Sequence, residues 1–190
     1  MKALLATGVV CIAGGSSAAA VAPVDATALP LGLKTVAASV QECAVWRRER
    51  SFAHSVEAHD SVAFASHVHP GAVFDAGGPD AVRGRDAITA GWAGVLEGKT
   101  LVLRWRPGIV DIGGDPTIAL SRGPYILQSD RDGKVTFRVG FYQTVWLREA
   151  IDTTWRVLFD GAASTPIPVA DRAAAEAWVV QQEMSDCASS

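Results

Sequence analysis

The 190-residue sequence contains none of the short motifs that mark several large enzyme classes. It has no phosphate-binding loop, no nucleophile elbow and no dinucleotide fingerprint. The paired glycines Gly77–Gly78 and Gly113–Gly114 lie in turn-like stretches and do not form a GxGxxG pattern. No Cys/His spacing is typical of a zinc site. We therefore expect no cofactor and no bound metal.

An excess of charge of one sign is also missing. The net charge is −3, charged residues make up 19% of the chain, and the arginines are scattered along the sequence. Such a chain has no basic face for nucleic acid and no acidic tail. The apolar run at residues 3–13 is too short to span a bilayer, which needs about 20 apolar residues. We expect no nucleic-acid partner and no stable membrane insertion.

The N-terminus carries the pattern of a secretory signal peptide at residues 1–20. Lys2 precedes the apolar run, and the small residues 16–20 favour cleavage after Ala20. The alternatives are an uncleaved, signal-like anchor and a lipoprotein at Cys11, although the residues before Cys11 form a poor lipobox. We expect a periplasmic or secreted protein, with residues 21–36 as a linker rich in Pro and Ala.

Cysteine is scarce, with three residues in the chain. Removal of the signal peptide leaves Cys43 and Cys187, which could pair in an oxidising compartment. Nothing in the sequence places them close together, so two free thiols are the alternative and the sequence leaves the pairing open.

Hydrophobic periodicity predicts four helices, at residues 37–58, 61–67, 85–96 and 172–184. In the first, Val45, Phe52 and Val56 fall on one face. Asp60 is a plausible N-cap for the second helix. In the third, Ile88, Trp92 and Leu96 form one buried stripe. The last helix is expected to pack on its own domain or, alternatively, to contact a partner.

Between the helices, the sequence predicts a short strand at 72–75 and four longer strands at 101–106, 117–128, 135–148 and 155–160. The residues 130–133 predict a hairpin turn. Short connections between consecutive strands indicate an antiparallel meander. The order predicts an α+β fold in which N-terminal helices pack on a curved antiparallel sheet, with a C-terminal helix added. A pocket between helices and sheet is a usual place for a small ligand.

The same order of elements resembles the NTF2-like superfamily, and within it the SnoaL-like and DUF4440 type proteins. The residues that carry the resemblance are Phe52, Asp60, Phe64 and the stretches 84–88, 123–125, 140–146 and 155–160. It covers about residues 40–164. It implies a cone-shaped α+β domain at 37–164, a pocket and frequent homodimers, with residues 165–190 as a C-terminal helical tail. The fold does not imply one function.

Asp75 is the sharpest catalytic candidate. In the distantly similar ketosteroid isomerases, the catalytic aspartate follows the same short strand, and the resemblance implies that Asp75 is a general base. A base of this kind needs a partly dry pocket that raises its pKa. Those enzymes also use a tyrosine and a protonated acid. Here Phe52 stands at the expected tyrosine position, residues 139–142 contain no carboxylate, and Tyr142 is the substitute donor.

Further candidates surround Asp75 in the predicted pocket. His67 and His69 flank the start of the strand, where they could act as acid and base or simply end the helix. Arg122 would bind an anionic group if it faces the pocket. Asp160 either faces the pocket or begins a turn. The aromatic residues expected in the pocket wall are Phe52, Trp92, Trp105, Tyr125 and Tyr142.

These observations lead to three expectations of function. The first is an exported domain that binds a small, mostly apolar molecule in a cone-shaped pocket, with no established reaction. The second is a SnoaL-like or isomerase-like enzyme with Asp75 as base. The third is a non-catalytic module for homodimerisation or for binding another protein, which predicts a filled core and an exposed apolar patch.

Overall fold

The structure is a computed structural model that describes residues 35–189. The predicted signal peptide and most of the predicted linker lie outside the described residues. The helices are α1 (Val40–Glu57), α2 (Ser61–His67), α3 (Arg85–Gly91), α4 (Ala93–Glu97) and α5 (Arg172–Val180). The first strands are β1 (Thr35–Val36), β2 (Val68–Phe74), β3 (Val82–Arg83), β4 (Leu101–Trp105) and β5 (Ile109–Ile112). The remaining strands are β6 (Ile118–Arg131), β7 (Lys134–Arg148), β8 (Trp155–Ala162), β9 (Ile167–Val169) and β10 (Met184–Ser185).

Eight strands form one curved sheet in the order β3-β2-β8-β7-β6-β4, with β5 also paired to β6 and β9 to β7. The predicted fold class, α+β with helices packed on a curved sheet, is confirmed. The sheet is mixed, because β2 pairs with β8 in parallel while the other pairs are antiparallel. A parallel pair needs a long crossover. Here the chain from Asp75 to Thr154 supplies it.

The helix starts follow their predicted caps. Ser39 and Glu42 form a capping box at the start of α1, and the Asp60 side chain accepts a hydrogen bond from the Ala63 amide at the start of α2. The predicted helix at 85–96 is divided at Trp92 into α3 and α4. Gly91 and Gly94 flank this break, and glycine is a poor helix former.

Three short strands of the sheet, β3, β5 and β9, were not predicted. β5 and β4 pair with different parts of β6, and the chain bends between them at Pro107 and Gly108. A β-carbon at Gly123 on β6 would collide with the carbonyl oxygen of Arg106, so only glycine fits this bend. β9 extends the edge of β7 beyond the end of β8. Strands of two to four residues carry too little periodicity to be recognised from sequence.

The inner face of the sheet packs on α1 and includes Tyr142, Thr144 and Trp146 on β7. These three side chains are buried, whereas Val145 and Leu147 lie on the outer face and are partly exposed. The inner face is therefore the one with more polar atoms, which strand alternation alone could not show.

The C-terminal tail crosses the outer face and returns to α1. α5 packs on the sheet through Trp178, whose ring centroid lies 5.2 Å from that of Phe141. β10 then pairs in parallel with β1, and Cys187 forms a disulfide with Cys43 on α1. Of the two alternatives that the sequence left open, the structure has the disulfide. The fold brings together residues that are 144 positions apart.

Candidate functional site

A cavity of about 560 Å³ opens where β2 ends beside β8. Asp75, Gln143 and Asp160 line it together with the apolar residues Val145, Phe159, Ala162 and Ala163. A lining that combines apolar side chains with a few polar groups can hold a small molecule.

Asp75 lies at the rim of this cavity, directly after β2. Its backbone N–H donates to the Asp160 carbonyl oxygen at 2.8 Å, which extends the β2–β8 pairing by one residue. Its φ of 52° then turns the chain away from the sheet, in a left-handed conformation that aspartate tolerates better than most residues. A β-carbon at Gly161 would lie 3.3 Å from Asp75 Oδ1, so the carboxyl group lies against this glycine.

Both cavity carboxyl groups hold protons more tightly than usual. Partial burial, and then the nearby charge of Asp80, raise the pKa of Asp75. The residue Asp160 as a whole is half-buried, but its carboxyl group is buried. This burial is the main reason that the pKa of Asp160 rises to about 7. The charges of Glu49 and Asp75 add to the rise, and a hydrogen bond from Thr144 opposes it. Near neutral pH, Asp160 is therefore present in both protonated and ionised forms.

Thr144 connects the cavity to the interior. Its hydroxyl group donates to Asp160 Oδ2 at 2.6 Å, across the antiparallel β7–β8 pair. Glu49 of α1, whose pKa burial raises and the Thr144 hydroxyl group lowers, has no solvent-accessible surface. The indole N–H groups of Trp105 and Trp146 donate to the two Glu49 oxygens, at 2.7 and 2.8 Å.

Glu49 is the residue that sequence reasoning missed. Burial raises its pKa, while hydrogen bonds from the two tryptophans and from the nearby Ser121 and Thr144 hydroxyls oppose this rise. A signal was present in the sequence, because Glu49 lies four residues after Val45 and three before Phe52, on the apolar stripe of α1. A charged residue within such a stripe indicates a buried polar network.

Tyr142 lies in this network and not in the wall of the cavity. Its hydroxyl group pairs with Ser121 Oγ at 3.2 Å. Burial and the neighbouring Glu49 raise its pKa well above 10, so it remains a neutral phenol at physiological pH. Its role as a donor to a molecule beside Asp75 remains a prediction.

The aromatic residues predicted for the pocket wall pack against one another. The Phe52 and Trp105 ring centroids are 5.3 Å apart, and those of Trp92 and Trp105 are 6.3 Å apart. Tyr125 is buried over Gly140, where a β-carbon would lie 2.7 Å from its hydroxyl oxygen. These side chains form a cluster between the helices and the sheet, and none of the four lines the cavity beside Asp75.

The two histidines make contacts elsewhere. The His67 ring bonds to the Ala63 carbonyl and the Ser51 hydroxyl, at 2.7 and 3.1 Å. Burial, and then the charge of Arg48, lower its pKa to about 4, so it is neutral at pH 7. His69 Nε2 lies 3.3 Å from Glu149 Oε1 in a surface ion-pair cluster. The structure does not bring either ring to the cavity lining.

Arg122 is on the outer face of the sheet. Its guanidinium group lies 4.7 Å from the centroid of the Phe141 ring, a cation–π arrangement. It lines a separate cavity of about 230 Å³ beneath residues 181–183 of the tail. The structure therefore unites Asp75 with Asp160 and separates both from Arg122.

Comparison with solved structures identifies the architecture. A ketosteroid isomerase-like protein from Erwinia carotovora atroseptica matches with a TM-score of 0.53 and 16% identity, over 67% of this chain and 100% of its own. An NTF2-like protein of unknown function from Pseudomonas putida matches with a TM-score of 0.51 and 16% identity, over 68% of this chain and 90% of its own. The chain has the NTF2-like fold.

A third match has a TM-score of 0.54 and 14% identity, over 69% of this chain and 89% of its own. It is a protein from Novosphingobium aromaticivorans provisionally described as a scytalone dehydratase. No family model matches the sequence, and no curated protein matches it at a significant level. The SnoaL-like and DUF4440 type thus remains a prediction. In the part of the chain that the structure describes, no helix is both long enough and apolar enough to cross a membrane.

Proposed function

We propose that this chain is an exported NTF2-like domain that binds a small, mostly apolar molecule at the cavity between Asp75 and Asp160. The observation that supports this proposal is a cavity lined by both apolar and polar residues, among them Asp160, whose carboxyl group has a pKa of about 7. In its protonated form, Asp160 donates a hydrogen bond to a carbonyl or hydroxyl oxygen of the ligand. The two charged residues in the lining of the cavity, Asp75 and Asp160, are both acidic, so the proposed ligand is not an anion.

Two observations support export. Residues 1–20 have the pattern of a signal peptide. The Cys43–Cys187 disulfide is of a kind that persists in oxidising compartments, such as the periplasm or the extracellular space. Fusion of residues 1–22 to a reporter that is active only after export tests this part. Retention of the reporter in the cytoplasm would contradict it.

Native mass spectrometry of protein purified from its own host tests the ligand. We expect a co-purified neutral compound that is lost in Asp160→Leu and kept in Asp111→Asn, a matched change at an exposed acid on β5. Calorimetry with a ketone and with the corresponding carboxylate, of the same carbon skeleton, then tests the charge preference. Equal binding of the two, or an unchanged ligand in Asp160→Leu, would contradict the proposed site.

A proton-transfer enzyme is the second candidate, favoured by the two unequal carboxyl groups of the cavity. Asp75, as a carboxylate, would take a proton from the carbon next to a ligand carbonyl, and Asp160 would donate a hydrogen bond to the oxygen on which charge develops. The Erwinia neighbour is described as ketosteroid isomerase-like. We expect the wild type to exchange the α-hydrogen of a bound ketone for deuterium. We expect no such exchange in Asp75→Asn. Exchange at the wild-type rate would dismiss Asp75 as the base.

A homodimer is the third part of the proposal. Ile118 and Leu120 lie on the outer face at positions that pair with β7, and each exposes more than a third of its surface. This apolar strip suits a second copy of the chain. Light scattering of the wild type and of Leu120→Lys tests it, and a monomeric wild type at high concentration would contradict it.

A further inference from the structure

The turn that joins α1 to α2 holds a histidine in a backbone conformation that glycine usually adopts. The amide N–H of His59 donates to the Val56 carbonyl oxygen at 3.1 Å. The next amide N–H, that of Asp60, donates to the Ser55 carbonyl oxygen at 2.9 Å. This pattern ends a helix with one left-handed residue, for which glycine or asparagine is the common choice. His59 takes that place with a φ of 58°, so its side chain is the feature that needs an explanation.

The His59 ring is held in one position and in one tautomer. Its Nδ1 lies 2.7 Å from the carbonyl oxygen of Leu96, near the end of α4. A carbonyl oxygen only accepts, so Nδ1 carries the hydrogen, and the neutral ring has its lone pair on Nε2. The ring also lies against Gly98, where a β-carbon would collide with His59 Cε1. Because Nδ1 is used by Leu96, Nε2 is the nitrogen left for a ligand.

His59 lines a cavity of about 370 Å³ between the ends of α1 and α4 and the edge strand β4. Two charged residues line it as well, Glu57 on α1 and Arg104 on β4. The remaining side chains of the lining are apolar, namely Val56, Val95, Val102 and Leu103. This mixture of apolar walls and a few polar groups suits a small organic molecule. The cavity shares no residue with the one that contains Asp75 and Asp160.

The charged groups of this cavity do not neutralise one another. Among residues 35–189, none of the ion pairs includes Arg104, which lies exposed on β4. Glu57 Oε2 lies 4.0 Å from Nδ1 of His54, whose side chain is 76% exposed, and this contact is a loose one. The cavity therefore offers a ligand one group that only donates, Arg104, and two that accept, Glu57 and His59 Nε2.

We propose that this cavity binds a free α-amino acid with an apolar side chain. The Arg104 guanidinium group pairs with the carboxylate of the amino acid. The ammonium group of the amino acid has three hydrogens, which it donates to the Glu57 carboxylate and to His59 Nε2. The apolar residues of the lining contact the side chain of the amino acid. An anion without the ammonium group leaves the two acceptors without a donor, and an amine without the carboxylate leaves Arg104 unpaired.

This second site goes beyond the proposed function and does not depend on it. The ligand proposed for the cavity beside Asp75 and Asp160 is uncharged and mostly apolar, whereas the ligand proposed here carries two opposite charges. Loss of one kind of binding without the other distinguishes the two sites.

A nitrogen-15 NMR spectrum of protein with labelled histidine tests the ring of His59. Correlations between ring nitrogens and ring hydrogens distinguish the two neutral tautomers. We expect the tautomer with hydrogen on Nδ1 at about pH 8, where histidine is ordinarily neutral. His59→Asn assigns the signal, and this variant should fold because asparagine adopts the left-handed conformation readily. A tautomer with hydrogen on Nε2 would overturn the proposal.

Calorimetry with L-phenylalanine tests the class of ligand. The matched probes are phenylpropanoate, which lacks the ammonium group, and phenylethylamine, which lacks the carboxylate. We expect wild-type protein to bind phenylalanine at least about tenfold more tightly than either probe, because each probe lacks one charge-assisted contact. The His59 Nε2 signal should shift when phenylalanine is added. L-leucine tests a smaller side chain. Binding of neither amino acid, or equal binding of phenylalanine and the two probes, would overturn the proposal.

Three variants show which side chains bind the amino acid. Arg104→Gln, Glu57→Gln and His59→Asn should each weaken the binding of phenylalanine, and Arg104→Gln by at least about tenfold. In Arg104→Gln, phenylalanine should lose its advantage over phenylethylamine, since the partner of its carboxylate is gone. Arg47→Gln removes an exposed arginine of α1 outside the cavity and is the matched control, with unchanged affinity expected. Equal affinity of wild type and Arg104→Gln for phenylalanine would overturn the proposal.

Discussion

The inner and outer faces of the sheet contradict a simple relation between polarity and exposure. The inner face contains Thr144, Ser121 and the indole groups that bind Glu49, and all of these surround a fully buried acid. The outer face exposes Ile118 and Phe159, at 45% and 40% of their surface. The comparison shows that burial here follows from hydrogen-bond partners as well as from apolar area. Four predictions test it.

Loss of the disulfide should have the largest effect, since it joins α1 on the inner side to the tail on the outer side. Cross-linking residues 144 positions apart restricts the unfolded chain strongly. We expect the Cys43→Ser/Cys187→Ser variant to lose about 2–5 kcal/mol of unfolding free energy, measured by urea denaturation. The wild type under reducing conditions is the control and should lose a similar amount. Equal stability with and without the disulfide would contradict a tail held in place by this bond.

Glu49→Gln should cause the next largest loss of unfolding free energy. The glutamine NH₂ group cannot accept the hydrogen bond that one of the two indole groups donates. One buried donor is then left without a partner, which costs about 1–3 kcal/mol of unfolding free energy. The matched control is Glu57→Gln on the exposed end of α1, with an expected change within about 0.5 kcal/mol. Similar losses in the two variants would show that the inner network does not stabilise the fold.

The change of unfolding free energy with pH should show that Asp160 titrates differently from an acid on the surface. Its pKa is about 7 in the folded protein and is raised from 3.8. Between these values the folded state binds more protons than the unfolded state, so its contribution to stability decreases as pH rises. His67, whose pKa is lowered to about 4, acts in the opposite direction between pH 4 and 6.5.

The two effects are separated by comparing variants. Asp160→Asn should make this decrease smaller, which thermal unfolding across the range can measure. The raised pKa values of Asp75 and Glu49 and the lowered pKa of His67 still act in the variant. A pH profile that does not change in Asp160→Asn would show that the carboxyl group is solvated like a surface acid.

Phe159→Ala on the outer face should have the smallest effect. The ring is already 40% exposed, so its removal creates no closed cavity, and we expect a loss of about 1 kcal/mol or less. Phe52→Ala, in the buried aromatic cluster, is the matched comparison and should cost about 3–5 kcal/mol. Equal losses measured by urea denaturation would mean that the outer ring is buried in solution, for example by a second copy of the chain.

Much of the fold could be predicted from local patterns. The cap at Asp60, the buried stripe through Ile88 and the hairpin at 130–133 depend on neighbouring residues, and the structure contains each of them. The short strands β3, β5 and β9 depend on pairing with neighbouring strands of the sheet. Those features could not be recognised from periodicity over two to four residues.

The site was predictable only in part. Asp75 and Asp160 were named from their places at strand ends, and the structure places both at one cavity. Phe52, Trp92 and Trp105 were expected to contact ligand, but they contact one another. Glu49 was missed because it lies among arginines, and a charged residue in such a stretch is normally expected to be exposed. Its burial becomes evident only when the packing of α1 on the sheet is known.

Local patterns in the amino-acid sequence were enough to predict the order of helices and strands, the caps and turns, and the NTF2-like fold. These depend on interactions over a few residues and on the period of apolar positions. Only the three-dimensional packing shows which face of β7 is buried, that Cys43 meets Cys187, and that Thr144 bonds to Asp160. The reason is physical: burial, and with it the pKa of each acid, is set by atoms that are far away in the chain.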